Sequence, residues 1–332
     1  MVVKIRDVAA AAGVSVGTAS RVLSGHPATS ESSRRRVTEA ASALGYRLNA
    51  QARSLRKPHA DTLGLLVSDI RNPFFADIAQ SAERQALAAG LATLLGNANE
   101  STEQQDHYLD LLYSHRVAGM IVAPQGDGGG SLGELLALGV PIVFVDRTID
   151  GVDVPSVTSD NGAGVAAAVS HLADLGHRRV GIVAGPPQTS TGRERLDAYR
   201  AAVAECGLDS DPELVATGDF QADSGARGAA ALLDLPDAPT AILAADSLMT
   251  FGVLDVLRER GIAVGRDLSV IGYDDVAAYR WLRPALTVIT HDPARMGSLA
   301  VDIILDILAG RPASSVVLES ALVVRESTGP AA

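Results

Sequence analysis

The feature that most restricts the fold of this sequence is a regular alternation of short apolar runs with helical stretches from residue 61 onward. In the first half the runs are TLGLLV, LATLLG, GMIVAP and PIVFVD, with helices predicted near 74–89, 102–115 and 131–138. The second half continues with RRVGIVAG, PTAILAAD, LSVIGYDD and ALTVIT. Apolar strands that alternate with helices are typical of parallel sheets covered by helices on both faces. We therefore predict an α/β, doubly wound parallel-sheet architecture for residues 61–332.

The length of the chain allows two such sheets in addition to a small N-terminal domain. It has 332 residues, of which 47% are hydrophobic and 20% charged, a composition typical of globular proteins. Open α/β sheets bind ligands beyond the carboxyl ends of their strands. A cleft between two sheet units is therefore the predicted ligand site.

The charges are divided unevenly along the chain. Residues 1–60 contain ten Lys and Arg against three Asp and Glu, whereas residues 61–332 contain 18 against 36. A small basic segment attached to an acidic body is typical of a polyanion-binding module joined to a domain with another task. The alternative is a basic surface that only contacts solvent.

The basic segment contains the pattern of a helix-turn-helix. Apolar spacing predicts a helix over 5–12, a turn at Gly13 and a second helix capped by Ser15. A third helix, capped by Ser30, is predicted over about 31–44. A helix-turn-helix places the start of its second helix in the major groove of DNA. The residues at that start are Val16, Gly17, Thr18, Ser20 and Arg21.

Four of these side chains suit DNA, for three different reasons. Arg21 is the one long donor of the second helix and can bind guanine O6 and N7 in a bidentate manner. Thr18 and Ser20 carry short hydroxyls that suit phosphate contacts, and Val16 can contact a thymine methyl group. The alternative is a small three-helix domain with solvated polar residues.

Three segments resemble the LacI/GalR family of bacterial transcription regulators: VKIRDVAAAAGVSVGTASRVLSG, ALGYRLNAQARSLR and the NPFF of DIRNPFF. The resemblance extends from Lys4 to about Arg325. It implies base contacts by Val16, Gly17 and Arg21. It also implies phosphate contacts by Ser15, Thr18, Ser20, Ser30 and Asn49. Gly17 departs from the family pattern, in which a side chain is usual, so one base-reading group is missing here.

The same resemblance implies partners and domains. Family members bind palindromic operator DNA as homodimers, and most of them are repressors. The implied domains are a helix-turn-helix domain (1–48), a hinge helix (49–60) and an effector-binding and dimerisation core (61–332). Within the hinge, Ala52 and Leu55 are implied to contact DNA, with Leu55 wedged between base steps so that the duplex bends. The alternative for this segment is an ordinary flexible linker.

Polar and aromatic side chains follow the predicted strands of the body. They are Asp69, Asn72, Phe74, Phe75, Asp146, Arg147, Thr191, Arg193, Arg195, Phe220, Asp274, Asp275 and His291. Carboxylates and guanidinium groups can form paired hydrogen bonds to hydroxyls, and aromatic rings can stack on the C–H faces of a sugar ring. Asp69 and Asp275 are equally well explained as helix caps.

The resemblance implies that these residues form the effector pocket of the family's sugar-responsive members, whose core is similar to that of periplasmic sugar-binding proteins. The implied pocket residues are Asn72, Phe74, Phe75, Asp146, Arg147, Thr191, Arg195, Phe220, Asp274 and His291. Ala245, where many members have a polar amide, and His291, where glutamine is common, depart from the family pattern. The first subdomain is expected to comprise about 61–160 plus 291–325, and the second about 161–290. The effector would change the angle between them, and the sequence leaves open whether it releases or promotes DNA binding.

Two other functions are open at this point. One is a cytoplasmic sugar-binding protein without a DNA role, which the basic N-terminal segment opposes. The other is a nicotinamide-dependent oxidoreductase, because Gly128–Gly133 matches GxGxxG after an apolar run and Asp146 follows the next run. Against this, the match lies in the third strand-helix unit, and residues 61–332 contain no lysine.

Several classes of site and location are disfavoured. The single cysteine, Cys206, excludes a disulfide scaffold, and no histidine pair has the i,i+4 spacing of a helical metal site. We therefore expect no metal, no cofactor and no enzymatic activity. No run approaches the roughly 20 apolar residues that span a bilayer, and Lys4, Arg6 and Asp7 stand where a signal peptide would be apolar. We expect a cytoplasmic protein without membrane contact.

Overall fold

The structure, a computed structural model, describes residues 3–24, 26, 28–46 and 61–331. The chain divides into two compact units, Met1–Asp61 and Thr62–Ala332. In its described part the first unit is helical, whereas the second combines helices with two sheets. The predicted fold class is confirmed.

The N-terminal unit contains the three predicted helices: α1 (Ile5–Ala11), α2 (Val16–Leu23) and α3 (Glu31–Ala43). Their apolar faces meet in one small core, in which Val8, Ala19 and Val37 are fully buried. The turn between α1 and α2 is tight because Gly13 takes a positive φ of 62°, a conformation that glycine adopts without strain.

The first sheet of the body has six parallel strands in the order β11-β5-β4-β3-β1-β2. Its strands are β1 (Thr62–Val67), β2 (Ala92–Asn97), β3 (Met120–Val122), β4 (Ile142–Val145), β5 (Ser156–Ser159) and β11 (Val316–Leu318). Its helices are α4 (Pro73–Ala88), α5 (Thr102–Ser114), α6 (Gly130–Ala137) and α11 (Pro293–Leu308). One core packs α4 and α11 against the sheet, and a second core packs α5 and α6 against the other face.

The second sheet repeats this plan in the order β12-β10-β9-β8-β6-β7. Its strands are β6 (Val180–Ala184), β7 (Val215–Thr217), β8 (Ala241–Ala244), β9 (Ser269–Tyr273), β10 (Thr287–Thr290) and β12 (Ala321–Val323). Its helices are α7 (Asn161–Asp174), α8 (Ser190–Glu205), α9 (Ala222–Leu233) and α10 (Ser247–Arg260), with short 3-10 turns at Pro212–Leu214 and Ala277–Arg280. Two cores again cover both faces. We call the two sheets with their helices the first and second subdomains.

The chain passes between the subdomains three times, after β5, after β10 and after β11. The third passage corrects the expected subdomain boundary. The segment 291–325 does not lie wholly in the first subdomain, because β12 pairs antiparallel with β10 at the edge of the second sheet. Beyond it, Ser327 and Gly329 bond to β9 of the same sheet. The first subdomain therefore ends near Leu318.

In the part of the chain that the structure describes, no helix combines the length and the apolar composition needed to cross a membrane.

Candidate functional site

Helix α2 presents the predicted base-contacting residues on its outer side. Ala19 and Val22 are buried in the core of the unit, whereas Val16, Gly17 and Arg21 are exposed. The Arg21 side chain folds back along the helix, so that its Nε donates to the Gly17 carbonyl oxygen at 3.4 Å. This long and weak contact is readily exchanged for a better acceptor.

Two serines start the helices of this surface. Ser15 Oγ accepts a hydrogen bond from the Thr18 backbone N–H at 3.1 Å and lies 2.9 Å from the Thr18 hydroxyl. Ser30 Oγ accepts from the Ser33 backbone N–H at 3.3 Å at the start of α3. Thr18 and Ser20 are half-buried. Ser15 and Ser30, which are predicted to contact phosphates, thus also cap the starts of α2 and α3.

A further basic group was not singled out from the sequence. Arg34, Arg35 and Arg36 lie on α3, and all three are exposed. Consecutive helical residues point in different directions, so no single face of α3 carries all three charges. Their contribution is to the positive charge of the unit as a whole.

The remaining predicted DNA contacts, Asn49, Ala52 and Leu55, lie outside the described residues. The same holds for the whole predicted hinge, 49–60. These positions stay sequence-based predictions.

In the body, the predicted effector residues follow the carboxyl ends of strands in both subdomains. Asp146 follows β4, Phe220 comes after β7 and Asp274 follows β9, and their φ angles are 65°, 63° and 61°. Glu100, which comes after β2, has a φ of 56°. In residues other than glycine, this left-handed backbone conformation is strained, and such strain concentrates at functional sites. The strained positions mark the edge of both sheets that faces the other subdomain.

Arg147 is the centre of a buried polar cluster in the first subdomain. Its Nη1 and Nη2 donate to the two carboxylate oxygens of Glu100 at 2.6 and 2.9 Å, and Nη1 also donates to Gln125 Oε1 at 3.0 Å. The guanidinium lies 4.8 Å from the centre of the Phe220 ring in the second subdomain. Its Nε lies 3.5 Å from Asp146 Oδ2 but makes no hydrogen bond to any residue that the structure describes. This arginine therefore joins an aromatic face to two carboxylates.

Arg195, on α8, is held in the same way in the second subdomain. Nε donates to Asn161 Oδ1 at 2.9 Å, and Nη1 donates to the Ala245 carbonyl oxygen at 2.8 Å. The guanidinium stacks on the Tyr273 ring at 3.8 Å, and the Tyr273 hydroxyl donates to Asn161 Oδ1 at 3.0 Å. Asn161 and Tyr273 position this arginine, and no motif in the sequence points to either residue.

Asp274 and His291 form the third polar group. Asp274 Oδ2 accepts from Ser247 Oγ at 2.6 Å, and Asp274 Oδ1 lies 3.1 Å from His291 Nε2. The histidine contact has the distance of an ion pair without the alignment of a hydrogen bond. Burial raises the pKa of Asp274, but His291, Arg195 and the Ser247 hydroxyl outweigh it, so that this pKa lies below its usual range. Asp274 is accordingly a carboxylate.

The NPFF element supplies a cap, an aromatic face and a core residue. Asn72 caps α4 through Oδ1, which accepts from the Phe74 backbone N–H at 3.0 Å. The Phe74 ring packs edge-on against His291 with 4.8 Å between ring centres, and both line an open cavity with Asp274. Both rings are buried with Ile78 in the hydrophobic core beneath the first sheet. Phe74 thus contributes to the core and to the lining of the cavity.

Several buried polar atoms of this cluster have no hydrogen-bond partner within the described residues. They include Thr191 Oγ1, Arg147 Nε and both ring nitrogens of His291. Burial also raises the pKa of Asp146, although Arg147 and Arg195 offset part of that effect. A buried polar group without a partner costs free energy, so such groups indicate a place for a hydrogen-bonding ligand.

Asp246 is the main cleft residue that the sequence analysis missed. Ala245 was singled out as the substituted amide position, but its part in the cleft is the backbone carbonyl that Arg195 binds. It is the Asp246 side chain that reaches the other subdomain, where Asn72 Nδ2 donates to Asp246 Oδ2 at 3.1 Å. Burial raises the pKa of Asp246 to about 7. The signal available was its place directly after the apolar run AILAA.

The glycine-rich segment that suggested dinucleotide binding has a packing explanation. A Cβ on Gly133 would lie 2.7 Å from the Gly128 carbonyl oxygen, and one on Gly130 would collide with the Asp106 carboxylate. Gly128 itself has a φ of 87°. The glycines thus permit a tight turn before α6. Among the described residues, no group of three or more His, Cys, Asp or Glu is placed to hold a metal ion.

Comparison with known proteins agrees with both parts of this description. The lacI family of bacterial regulatory proteins matches residues 4–49, and the periplasmic binding protein-like domain matches residues 169–328. The transcriptional repressor CytR of Escherichia coli K12 is 31% identical over 327 residues, which cover 98% of this chain and 96% of CytR. The transcriptional regulator GalR of the same organism is 32% identical over 308 residues, which cover 93% and 90%.

Solved structures give the same result. The Lac repressor dimer bound to operator and the anti-inducer ONPF matches with a TM-score of 0.87 and 28% identity, over 99% of this chain and 100% of that one. The complex of the transcriptional regulator CelR with cellobiose matches with a TM-score of 0.74 and 33% identity, over 98% and 99%.

A helix-turn-helix unit joined to a two-subdomain body of the periplasmic-binding-protein type defines a class of bacterial transcription regulators. This chain belongs to the lacI family of that class, as its sequence predicts, and is a DNA-binding transcription regulator. The relatives named above are regulators rather than enzymes.

Proposed function

We propose that this protein is a cytoplasmic repressor that binds palindromic operator DNA as a homodimer. A small sugar-like effector, bound in the cleft between the two subdomains, controls its affinity for the operator. The observation that carries this proposal is the cleft itself. Carboxylates, guanidinium groups and aromatic faces from both subdomains converge there, together with buried polar atoms that have no hydrogen-bond partner among the described residues.

The chemistry of the cleft favours a polyhydroxylated ligand. Asp146 and Asp274 can each accept hydrogen bonds from two hydroxyls, and Thr191 Oγ1 and Arg147 Nε have bonding capacity to spare. Phe74 borders the cavity next to Asp274 with an apolar ring that suits the C–H face of a sugar. The similar regulator CelR has been solved with cellobiose.

The exposed surface of α2 supports operator binding. Val16 and Arg21 project from a helix whose opposite face is buried, and short hydroxyls flank them. Because a homodimer carries two such helices related by a two-fold axis, the preferred DNA should be a palindrome.

The edge of the first sheet supports dimerisation. β2 is the last strand on one side of the sheet, and Leu94 and Leu95 on it are 38% and 50% exposed. Apolar side chains on an unpaired edge strand favour association, and soluble proteins usually cover such edges. We propose that β2 lies in the dimer interface.

A selection experiment tests this function. The purified protein is incubated with a pool of randomised duplexes, alone and with mixtures of sugars or nucleosides, and the bound DNA is sequenced. A palindrome whose occupancy changes with one mixture supports the proposal. A palindrome that no mixture affects overturns the effector part, and no sequence preference overturns the DNA part.

Two variants connect the response to the cleft. Asp274→Asn should weaken the effector response at least tenfold, because it removes the carboxylate that Ser247 and His291 hold in place. Asp255→Asn is the matched control, since it makes the same change at an exposed position on α10. Equal responses of the two variants would place the effector elsewhere.

A further inference from the structure

We infer that the cleft selects an effector without an anionic group, so that phosphorylated sugars are excluded, and that Asp246 enforces this exclusion. The inference rests on the proposed function, because it concerns the effector of the same cleft. It narrows the chemical class of that effector to uncharged polyhydroxylated molecules.

The buried charge of the cleft disfavours an anion. Among the described residues, the polar cluster around Arg147 and Arg195 holds four carboxylates against these two guanidinium groups, with His291 beside them. The carboxylates are Glu100, Asp146, Asp246 and Asp274, and the guanidinium groups belong to Arg147 and Arg195. Charges that are shielded from water interact strongly and are screened little by salt. A phosphate would add negative charge to a site that already has an excess.

Both arginines of the cleft already hold hydrogen-bond partners. Arg147 uses Nη1 and Nη2 on Glu100, in the paired geometry that guanidinium forms with oxyanions. Arg195 donates Nε and Nη1 to Asn161 and to the Ala245 carbonyl oxygen. A phosphate that binds the two terminal nitrogens of Arg147 would have to displace Glu100.

The start of helix α10 is already occupied by a carboxylate. The N-terminus of a helix that follows a strand of an α/β sheet is a common anion site, because its backbone N–H groups are unpaired. Here Asp246 occupies that position: its Oδ1 accepts from the Met249 backbone N–H at 3.0 Å. The carboxylate thus fills the place that a phosphate would take and repels it as well.

The behaviour of Asp246 itself is consistent with this surplus of charge. Burial raises its pKa to about 7, and the nearby carboxylates of Asp274 and Glu100 add to the shift while Arg195 opposes it. Surroundings that favour the uptake of a proton by Asp246 near neutral pH disfavour the binding of another anion. A hydroxyl group, in contrast, can donate to the ionised form and accept from the protonated form.

The test uses matched pairs of ligands. Binding to the full-length protein is measured by calorimetry for glucose and glucose 6-phosphate, galactose and galactose 1-phosphate, ribose and ribose 5-phosphate, and cytidine and its 5′-monophosphate. We expect a neutral member to bind and its phosphate ester to bind at least 100-fold more weakly. Asp246→Asn should reduce that ratio at least tenfold, whereas Asp255→Asn should leave it unchanged.

The outcomes separate the inference from the function it rests on. An ester that binds as tightly as its neutral partner overturns the inference and leaves the effector function standing. If no member of any pair binds, the proposed effector class is wrong, and the inference falls with it. An unchanged ratio in Asp246→Asn overturns the role of Asp246. Asparagine retains the helix cap, and Asp246→Ser provides a second capping variant if the first does not fold.

Discussion

Asn72 and Asp246 are joined across the cleft by a hydrogen bond of 3.1 Å between Asn72 Nδ2 and Asp246 Oδ2. Both side chains also cap helices: Asn72 caps the start of α4, and Asp246 caps the start of α10. Ser247 Oγ adds a second polar contact, since it lies 2.8 Å from Asn72 Oδ1. The starts of one helix from each subdomain therefore meet through shared polar groups, and a change in the angle between the subdomains must break or remake these bonds.

This arrangement predicts a specific loss of stability in Asn72→Ala. The substitution removes the cap of α4, which costs about 1 kcal/mol. It also leaves the buried Asp246 without its donor from the first subdomain, at a further cost of about 1–3 kcal/mol. We expect the free energy of unfolding, measured by urea denaturation, to fall by about 2–4 kcal/mol.

Ser101→Ala is the matched control for this measurement. Ser101 caps α5 by accepting from the Gln104 backbone N–H at 3.3 Å. Its loss should cost about 1 kcal/mol, because only a cap disappears. If both variants lose the same stability, the bond between Asn72 and Asp246 contributes nothing measurable.

Asp246 also predicts how stability depends on pH. Burial raises its pKa from 3.8 to about 7, so the folded protein holds this proton more tightly than the unfolded chain does. The resulting stabilisation is fully present below about pH 4 and is lost as pH rises towards and through about 7. As the pH rises from 5 to 8, the free energy of unfolding of the wild-type protein should therefore fall by up to about 3 kcal/mol relative to that of Asp246→Asn.

The measurement is urea denaturation of both proteins at a series of pH values. Other buried groups that titrate, Asp146 among them, are present in both proteins and cancel in the difference. Asp255→Asn, with an exposed carboxylate removed, should run parallel to the wild type. A constant difference between wild type and Asp246→Asn over this range would mean that Asp246 does not titrate there.

Arg21 should distinguish base recognition from simple charge attraction. We expect Arg21→Ala to lose about 1–3 kcal/mol of DNA-binding free energy per half-site. This loss should occur only with operators that carry the preferred base at one position. Arg35→Ala removes an exposed positive charge from α3 and should weaken binding to all DNA sequences to a similar extent. Both variants are compared by fluorescence anisotropy on the selected palindrome and on single-base variants. If Arg21→Ala weakens binding equally for all DNA sequences, Arg21 contacts a phosphate rather than a base.

The architecture was predictable because it depends on local patterns. Buried parallel strands such as β1 and β9 are uninterrupted apolar runs, and their burial on both faces requires this. Strands that lack the pattern of a long apolar run include β5, with the polar sequence SVTS, and β11 and β12 of three residues each. Such segments become strands because neighbouring strands offer them hydrogen bonds, and this depends on the distant chain.

The cleft was predictable only in part. Strand ends located Asp146, Phe220 and Asp274 correctly at the sheet edges, since carboxyl ends of parallel strands share one edge. Which of two adjacent residues faces the cleft depends on the backbone of the turn between strand and helix. Ala245 and Asp246 differ in this way, since Arg195 binds the backbone carbonyl of Ala245 and Asn72 binds the side chain of Asp246. Helical spacing and hydrophobicity carry no information about these turns.

The exposed edge of the first sheet leads to a prediction about assembly. Leu95→Asp places a carboxylate on β2 where we propose that two copies meet. Burying a leucine contributes about 1.5–3 kcal/mol, and a two-fold interface carries the substitution twice. We expect the variant to sediment as a monomer at micromolar concentration and to lose tight binding to the palindrome, because two half-sites are then bound independently. Leu138→Asp, at an exposed leucine that ends α6, is the control and should remain dimeric. A dimeric Leu95→Asp protein would move the interface away from β2.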